Sequence, residues 1–570
     1  MKHWLTFILV ISTLASARGA ERFADRFVWV FGWNLDHDAD VPAVEQVLDA
    51  AHAHRLNGAV CSFGFDTLCK KQPEYFRRLD EVKKHCENNG LELIPTGYSI
   101  GYGGGILTHN PNLAEGIPVE DAPFLVANGI AQLVDNVHPV NFKNGGFEDV
   151  VEGKFTGYDF YDQPGVVGFV DKEIMHGGSS SLRLENFTAN PDGHGRVMQT
   201  VTVVPHRCYR VTTWVKTENL QPTTSFHMMV LADGRDVSPR QFNLPATGDW
   251  RKISFLFNSL DFEKVSLYAG VWGGKTGKLW LDDFSVEETG PVNVLRRPGT
   301  PVTVRSADGT VTYVEGKDYA PLRDPELTPW RDDKPALPLL LTPDSRIQNG
   351  QQLRVSWYHS MVIYDSQVTV CMAEPELYQI LDEEAKLLAE KVQPRSVLLN
   401  MDEIRMGGTC RACAGKDMGQ LLGECITKQV EILRAHMPSV EVYIWSDMLD
   451  PNHNAHGNYF LVKGDFTNSW QHVPRNLIMA VWGGEPQPKS LQFFSDLGFR
   501  SLVACYYDAN DLSQVRNWIN VAAPMRKVRG VMYTPWLKKY ALLGEFGDLL
   551  HNISPSTAPA LRPAKPESAD

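Results

Sequence analysis

Ser396-Val397-Leu398-Leu399-Asn400-Met401-Asp402-Glu403 runs from unbroken apolar residues into two adjacent carboxylates. An apolar run with no polar alternation, set between helical stretches, is what a strand of a parallel sheet covered on both faces requires. On the upstream side, Glu374 to Glu390 has helical spacing; on the downstream side, Met418 to His436 repeats it and leads to the apolar stretch Val440 to Trp445. Working outward, Leu477 to Trp482, Ser501 to Tyr507 and Gly530 to Trp536 are further strands, separated by helices Ser490 to Leu497 and Leu512 to Ala522. Near the start, Phe27 to Phe31, Gly58 to Phe63 and Leu91 to Tyr98 alternate with helices in the same way.

Between these two blocks the rhythm changes. From about Val140 to Glu288 short alternating strands are punctuated by turn residues, as in Arg196 to Val203 and Tyr209 to Val215. That spacing predicts an all-β sandwich. Three strands before it and five after it predict an α/β chain: a (β/α)8 TIM barrel with the sandwich inserted after the third strand. The expected division is a signal peptide at 1–17, the first part of the barrel at 22–107 and the β-sandwich at 138–290. A connector at 291–352, the second part of the barrel at 353–550 and a disordered tail at 551–570 complete it.

The signal peptide is read from Lys2 and His3, the apolar run Trp4 to Ala15 and the small residues Ala15-Ser16-Ala17. It predicts a secreted or periplasmic protein. A net charge of −13 argues against a nucleic-acid partner, and the absence of a later long apolar stretch argues against a membrane one. Nine cysteines leave at least one unpaired, and only Cys410 and Cys413 are close in sequence. With no second pair to complete four zinc ligands, these two are expected as a disulfide or as plain thiols, and no catalytic metal is expected.

In such barrels the chemistry lies at the carboxyl ends of the strands. Those ends supply Trp33, Tyr98, Asp402, Glu403, Trp445, Asp447, Trp482, Tyr506, Tyr507, Asp508 and Trp536. Aromatic rings with carboxylates suit a sugar, whose ring faces stack and whose hydroxyls donate to carboxylates. Asp402 and Glu403 are the expected catalytic pair, each raising the other's pKa and so favouring a protonated Glu403. His453 and His456, in the loop after strand five, are expected to face substrate or solvent.

The order Glu374-Pro375-Glu376-Leu377-Tyr378, Asp402-Glu403, Trp445-Ser446-Asp447-Met448-Leu449, Val481-Trp482, Tyr506-Tyr507-Asp508 and Trp536 resembles the barrel of the family 20 glycoside hydrolases, the β-N-acetylhexosaminidases. The resemblance implies a retaining, substrate-assisted mechanism. Glu403 would be general acid/base and Asp402 would orient the 2-acetamido group that attacks the sugar carbon. It also implies that Tyr506 bonds the acetamido oxygen, that Trp445, Trp482 and Trp536 wall its pocket, and that Asp508 binds a sugar hydroxyl. The substrate would be an N-acetylhexosamine-containing glycan. The chain departs from the family at Leu399-Asn400-Met401 and Lys538, and at Trp33-Asn34, where no arginine stands. Two alternatives follow: a retaining glycosidase on neutral sugars with Asp508 as nucleophile, or a non-catalytic secreted glycan-binding protein. Asn144 to Glu148, Gly177 to Arg183 and Trp280 to Asp283 resemble a jelly-roll carbohydrate-binding module. No cofactor is expected beyond a structural calcium at Asn144, Glu148 and Asp283.

Overall fold

The computed structural model describes residues 22–134, 139–364 and 366–551. The signal peptide and the tail from 552 lie outside the described residues. Eight strands close into a barrel in chain order: Asp25–Val30, Gly58–Cys61, Glu92–Gly97, Ser396–Leu399, Glu441–Trp445, Ile478–Val481, Arg500–Ala504 and Val528–Tyr533. They are called strands one to eight below. Strand four is buried along its whole length, as its unbroken apolar run requires. It pairs in parallel with strand three, Leu398 against Thr96, and with strand five, Ser396 against Glu441.

The described residues divide into two compact units, one holding the residues up to Cys61, Asp80–Leu93 and the residues from Ala480, the other Ser62–Leu79 and Ile94–Met479. In the first, strand one pairs with strands two and eight. In the second, helix Pro375–Lys391 begins with Pro at its first turn, where the missing N–H costs nothing. Its inner face is Leu377, Ile380, Leu381, Ala385 and Leu388 with one charge, Glu384. That carboxylate is wholly buried, and it accepts the amides of Leu68 at 2.6 Å and Cys69 at 3.2 Å, pinning the loop after strand two. Helix Met418–His436 is capped by Asp417, whose side chain accepts the Gln420 amide.

The insert is two five-stranded antiparallel sheets. One contains Gly248–Asn258, Cys208–Gln221, Thr276–Glu288, Ser181–Leu184 and Gly168–Asp171. The other contains Arg235–Phe242, Phe226–Ala232, Lys264–Val271, Gly195–Thr202 and Phe160–Tyr161. Alternate residues of each strand fill the space between them, including Val197, Val211, Val215, Met228, Leu267 and Leu281. This core runs on into Met406 and Leu461, and Arg235 donates to the carbonyls of Phe460 and Val462. The sandwich is thereby fastened to the loops that follow strands four and five.

Residues 291–352 differ from the expected connector. They supply Thr303–Ser306, Thr312–Tyr313 and Leu339–Leu340 to a six-stranded sheet completed by Gln352–His359, Ile117–Ala127 and Ile130–Leu133. Its core buries Phe124, Val304, Tyr319, Val355 and Trp357 together with Cys208 and Leu256 of the sandwich. Gln352–His359 belongs here and not to the barrel. Each piece alone is too short to read as a sheet, because its partner, Ile117–Ala127, lies more than two hundred residues upstream of Gln352–His359.

Candidate functional site

Asn400 ends strand four by tying its neighbours together: its side-chain oxygen accepts Thr96 Oγ1 at 2.7 Å and Trp445 Nε1 at 3.0 Å. Glu403 then enters the left-handed region with φ 50°, an unusual conformation for a long side chain. Three contacts hold it there. Asp447 accepts the Glu403 amide at 2.9 Å, Gln367 donates to the Glu403 carbonyl at 2.6 Å, and Gly101 lies so close that a Cβ would strike the Asp402 and Glu403 carbonyls. The left-handed residue breaks the alternation of a pleated strand, so both neighbouring carboxyls stay partly exposed. Strain of this kind, held by surrounding structure, accumulates at functional sites.

The two carboxyls meet different surroundings. Burial pushes Asp402 well above the usual carboxylate range, with Asp447 and then Glu403 adding to it. Asp447, wholly buried, is likewise raised, chiefly by burial, although it also accepts Asn454 at 2.8 Å. Glu403 instead faces donors: Arg405 Nη2 lies 2.6 Å from Oε1, and the Tyr102 hydroxyl donates to Oε2 at 2.5 Å. Arg405 is itself fixed, with Gln367 accepting from it and its guanidinium 4.6 Å from the Tyr364 ring and 5.1 Å from Phe460. Asp402 and Asp447 are thus the two carboxyls that burial raises in this geometry.

This carries a pH consequence. Carboxyls raised in the folded state bind protons more tightly there than in the unfolded chain, so their contribution to stability is complete below the unfolded value of about 3.9 and is lost as pH rises through the raised values. The thermal midpoint is expected to fall over that rise, and Asp447→Asn, which keeps an acceptor for the Glu403 amide, is expected to flatten the profile. An unchanged slope in that variant, followed by differential scanning calorimetry, would contradict the assignment.

The structure brings Tyr98, Asp402, Glu403, Trp445 and Asp447 into the second unit, but as unequal partners. Trp445 is 2% exposed and Tyr98 1%, so neither presents a ring face to a ligand. Trp445, expected as a pocket wall, is corrected to a support acting through Asn400, and Tyr98, expected at the substrate, to a packed core residue. Tyr102, Gln367 and Arg405 were not identified from the sequence. Arg405 had a signal, two residues beyond Glu403; Tyr102 had one in Gly101-Tyr102-Gly103-Gly104-Gly105, a loop able to approach a backbone closely. Gln367 had none.

In the first unit Tyr506 is also corrected. It is 1% exposed, its hydroxyl donates to the Ala509 carbonyl at 2.7 Å, and its ring stacks on Tyr533 at 4.0 Å. Tyr507, 41% exposed, is the neighbour that reaches the surface. The oxygens of Asp508 accept the amides of Trp536 at 2.8 Å and Leu537 at 3.1 Å. That arrangement holds the turn after strand eight. Trp536 packs on Trp29 and Phe31, and Trp482 is partly exposed. Trp33 stacks on Tyr540 beneath the Lys538 ammonium, 4.0 Å from its ring.

Of the loop histidines, His456 uses Nδ1 on the Gly457 carbonyl, and neither His453 nor His456 joins a metal-ligand cluster among the described residues. At the expected calcium position, Glu148 accepts Ser179 and Ser180 amides, Asn144 bonds Asp149 and Thr156, and Asp283 meets His176 Nδ1 at 2.6 Å. Loop groups thus occupy these side chains. On the outer face of the second sandwich sheet Trp272 has His227 stacked at 5.4 Å, Tyr268 at 6.5 Å and the Arg196 guanidinium at 5.5 Å, all partly exposed.

Residues 141–276 match the carbohydrate binding domain family CBM_4_9. No curated protein matches the chain. Among solved structures, the CBM22-1 xylan-binding domain from Paenibacillus barcinonensis is 16% identical with a TM-score of 0.18, over 25% of this chain and 91% of its own. TmCBM61, solved with β-1,4-galactotriose, is 20% identical with a TM-score of 0.20, over 25% of this chain and 94% of its own. A rhamnosidase from Novosphingobium sp. PP1Y is 12% identical with a TM-score of 0.31, over 90% of this chain and 55% of its own. Among the described residues no helix is long and apolar enough to cross a membrane.

Proposed function

We propose that the chain is an exported glycoside hydrolase that breaks a glycosidic bond at Asp402 and Glu403 while the sandwich holds the glycan. The observation that supports this most is the unequal treatment of two adjacent carboxyls at a barrel strand end. Asp402 is driven toward its protonated form, and Glu403 is clamped by Arg405 and Tyr102. Glycosidic cleavage needs a proton donor for the leaving oxygen and a second group that stabilises or captures the cationic sugar carbon.

In the hexosaminidase-like form, Glu403 protonates the leaving oxygen and Asp402 orients the 2-acetamido group, whose carbonyl oxygen attacks the sugar carbon. An acetamido N–H donating to Asp402 favours the ionised Asp402. The proton then passes to Glu403 as its contact with Arg405 opens. The Arg405–Glu403 ion pair favours a second reading, with Asp402 as the acid and Glu403 as the stabilising carboxylate. The experiment is hydrolysis of aryl β-glycosides with and without the acetamido group, with and without a thiazoline mimic of the cyclised intermediate. Acetamido-dependent turnover blocked by the thiazoline supports the hexosaminidase-like form; turnover indifferent to both refutes it.

For the sandwich, Trp272 with its flanking rings is the proposed sugar platform. Trp272→Ala is expected to weaken binding to its glycan about tenfold, in line with roughly 0.5–1.5 kcal/mol for an aromatic contact beyond its area. Hydrolysis of a small aryl glycoside should stay unchanged. Affinity electrophoresis in glycan-loaded gels checks this, and equal retardation of variant and parent would refute it.

A further inference from the structure

Three stretches of chain converge away from the Asp402–Glu403 pair and bring together groups that the sequence keeps apart. Cys410 and Cys413 sit on one turn, closed by the Ala414 amide on the Cys410 carbonyl at 2.8 Å. Cys371 comes from the segment before helix Pro375–Lys391, and Glu115 from the stretch that pairs with it, the Glu115 amide donating to Thr369 O at 2.7 Å. The sulfur of Cys410 lies 3.5 Å from that of Cys371 and 3.3 Å from that of Cys413, and Cys413 Sγ lies 3.0 Å from Glu115 Oε1. All four side chains are buried, none more than 1% exposed.

We propose that Glu115, Cys371, Cys410 and Cys413 form a closed structural site for a divalent zinc-like ion. Their ligand atoms all lie within 4.8 Å of one another. Sulfurs around a tetrahedral zinc, with Zn–S of about 2.3 Å, are roughly 3.8 Å apart, whereas bonded sulfurs are about 2.05 Å apart. The observed spacing sits close to the first value. Three soft sulfur ligands and one carboxylate select zinc over magnesium or calcium. Full burial leaves no open position for water, which marks the site as structural and not catalytic.

A second observation points the same way. The Arg297 guanidinium is 6% exposed, and its Nη1 lies 3.3 Å from Glu374 Oε1. Its Nη2 donates to the Ala114 carbonyl at 2.8 Å, and its Nε makes no hydrogen bond among the described residues. Held at the residue before Glu115 and paired with Glu374, this buried guanidinium adds positive charge beside three thiolates and a carboxylate around a divalent ion. The ion would fasten the loop following Arg405 to the segment following Gln367, the two residues that hold Glu403.

The test uses the full chain, purified without chelator and passed through gel filtration. Mass-spectrometric elemental analysis is expected to find about one zinc per chain, and Cys410→Ser and Cys413→Ser to lose it. Because those variants can fail to fold, the unmodified chain is also titrated with a mercurial, with zinc release followed by a colorimetric chelator. Release in step with thiol modification is expected. In parallel, the chain is denatured with chelator but without reductant and alkylated. Cys371, Cys410 and Cys413 are all expected to carry the label. Metal-free protein, or a disulfide joining Cys410 to Cys371 or Cys413, overturns the proposal.

Discussion

Glu403→Gln is expected to lower kcat/KM about 10³-fold on a glycoside with a poor leaving group, the loss usual for a missing general acid or base. The expected loss is much smaller on a dinitrophenyl glycoside, whose leaving oxygen needs no proton. That contrast is specific to an acid. In the exchanged assignment the contrast moves to Asp402→Asn, while Glu403→Gln fails on both substrates because the stabilising charge is gone. Steady-state kinetics on the two leaving groups separate the cases. A Glu403→Gln enzyme with undiminished activity on the poor leaving group would remove Glu403 from the chemistry.

Arg405→Met is the second large effect. The guanidinium is 7% exposed and the Glu403 side chain 21%, so the substitution leaves a largely buried carboxylate without its cation. Removing one partner of such a pair costs about 3 kcal/mol or more. A drop of that size in unfolding free energy is expected by denaturant titration, together with loss of activity. Arg405→Lys is expected to rescue poorly. A single ammonium cannot reach Glu403, Gln367 and Tyr102 together while stacked between Tyr364 and Phe460. Near-parental stability in the Met variant would show that Glu403 does not depend on this contact.

The barrel was legible because its strands are continuous apolar runs, and strand four pointed to its own carboxyl end. The sandwich was legible because residues such as Val197 and Leu267 alternate with Met198 and Tyr268. The six-stranded sheet was not, since Thr303–Ser306 and Ile117–Ala127 are joined through Gln352–His359 and no local pattern announces such pairing. At the candidate site, the place of the carboxyl pair at the end of strand four was readable and the surroundings of each carboxyl were not. A residue's charge state depends on neighbours such as Arg405, Tyr102 and Asp447, which reach the site from three different loops. Tyr506 shows the complementary error: a strand end was read as a rim position, but its ring turns inward onto Tyr533. Cys371 and Glu115 were invisible as partners of Cys410 and Cys413 for the same reason, because sequence spacing finds only ligands that are neighbours in the chain.

The most direct measurement is the release of reducing sugar from a glycan panel by the parent chain and by Asp402→Asn/Glu403→Gln, with binding to each glycan recorded alongside. The account expects at least one bound glycan to be cleaved by the parent, and the double variant to bind it equally well and leave it intact. Binding without release by the parent on every glycan, or undiminished release by the double variant, would contradict it.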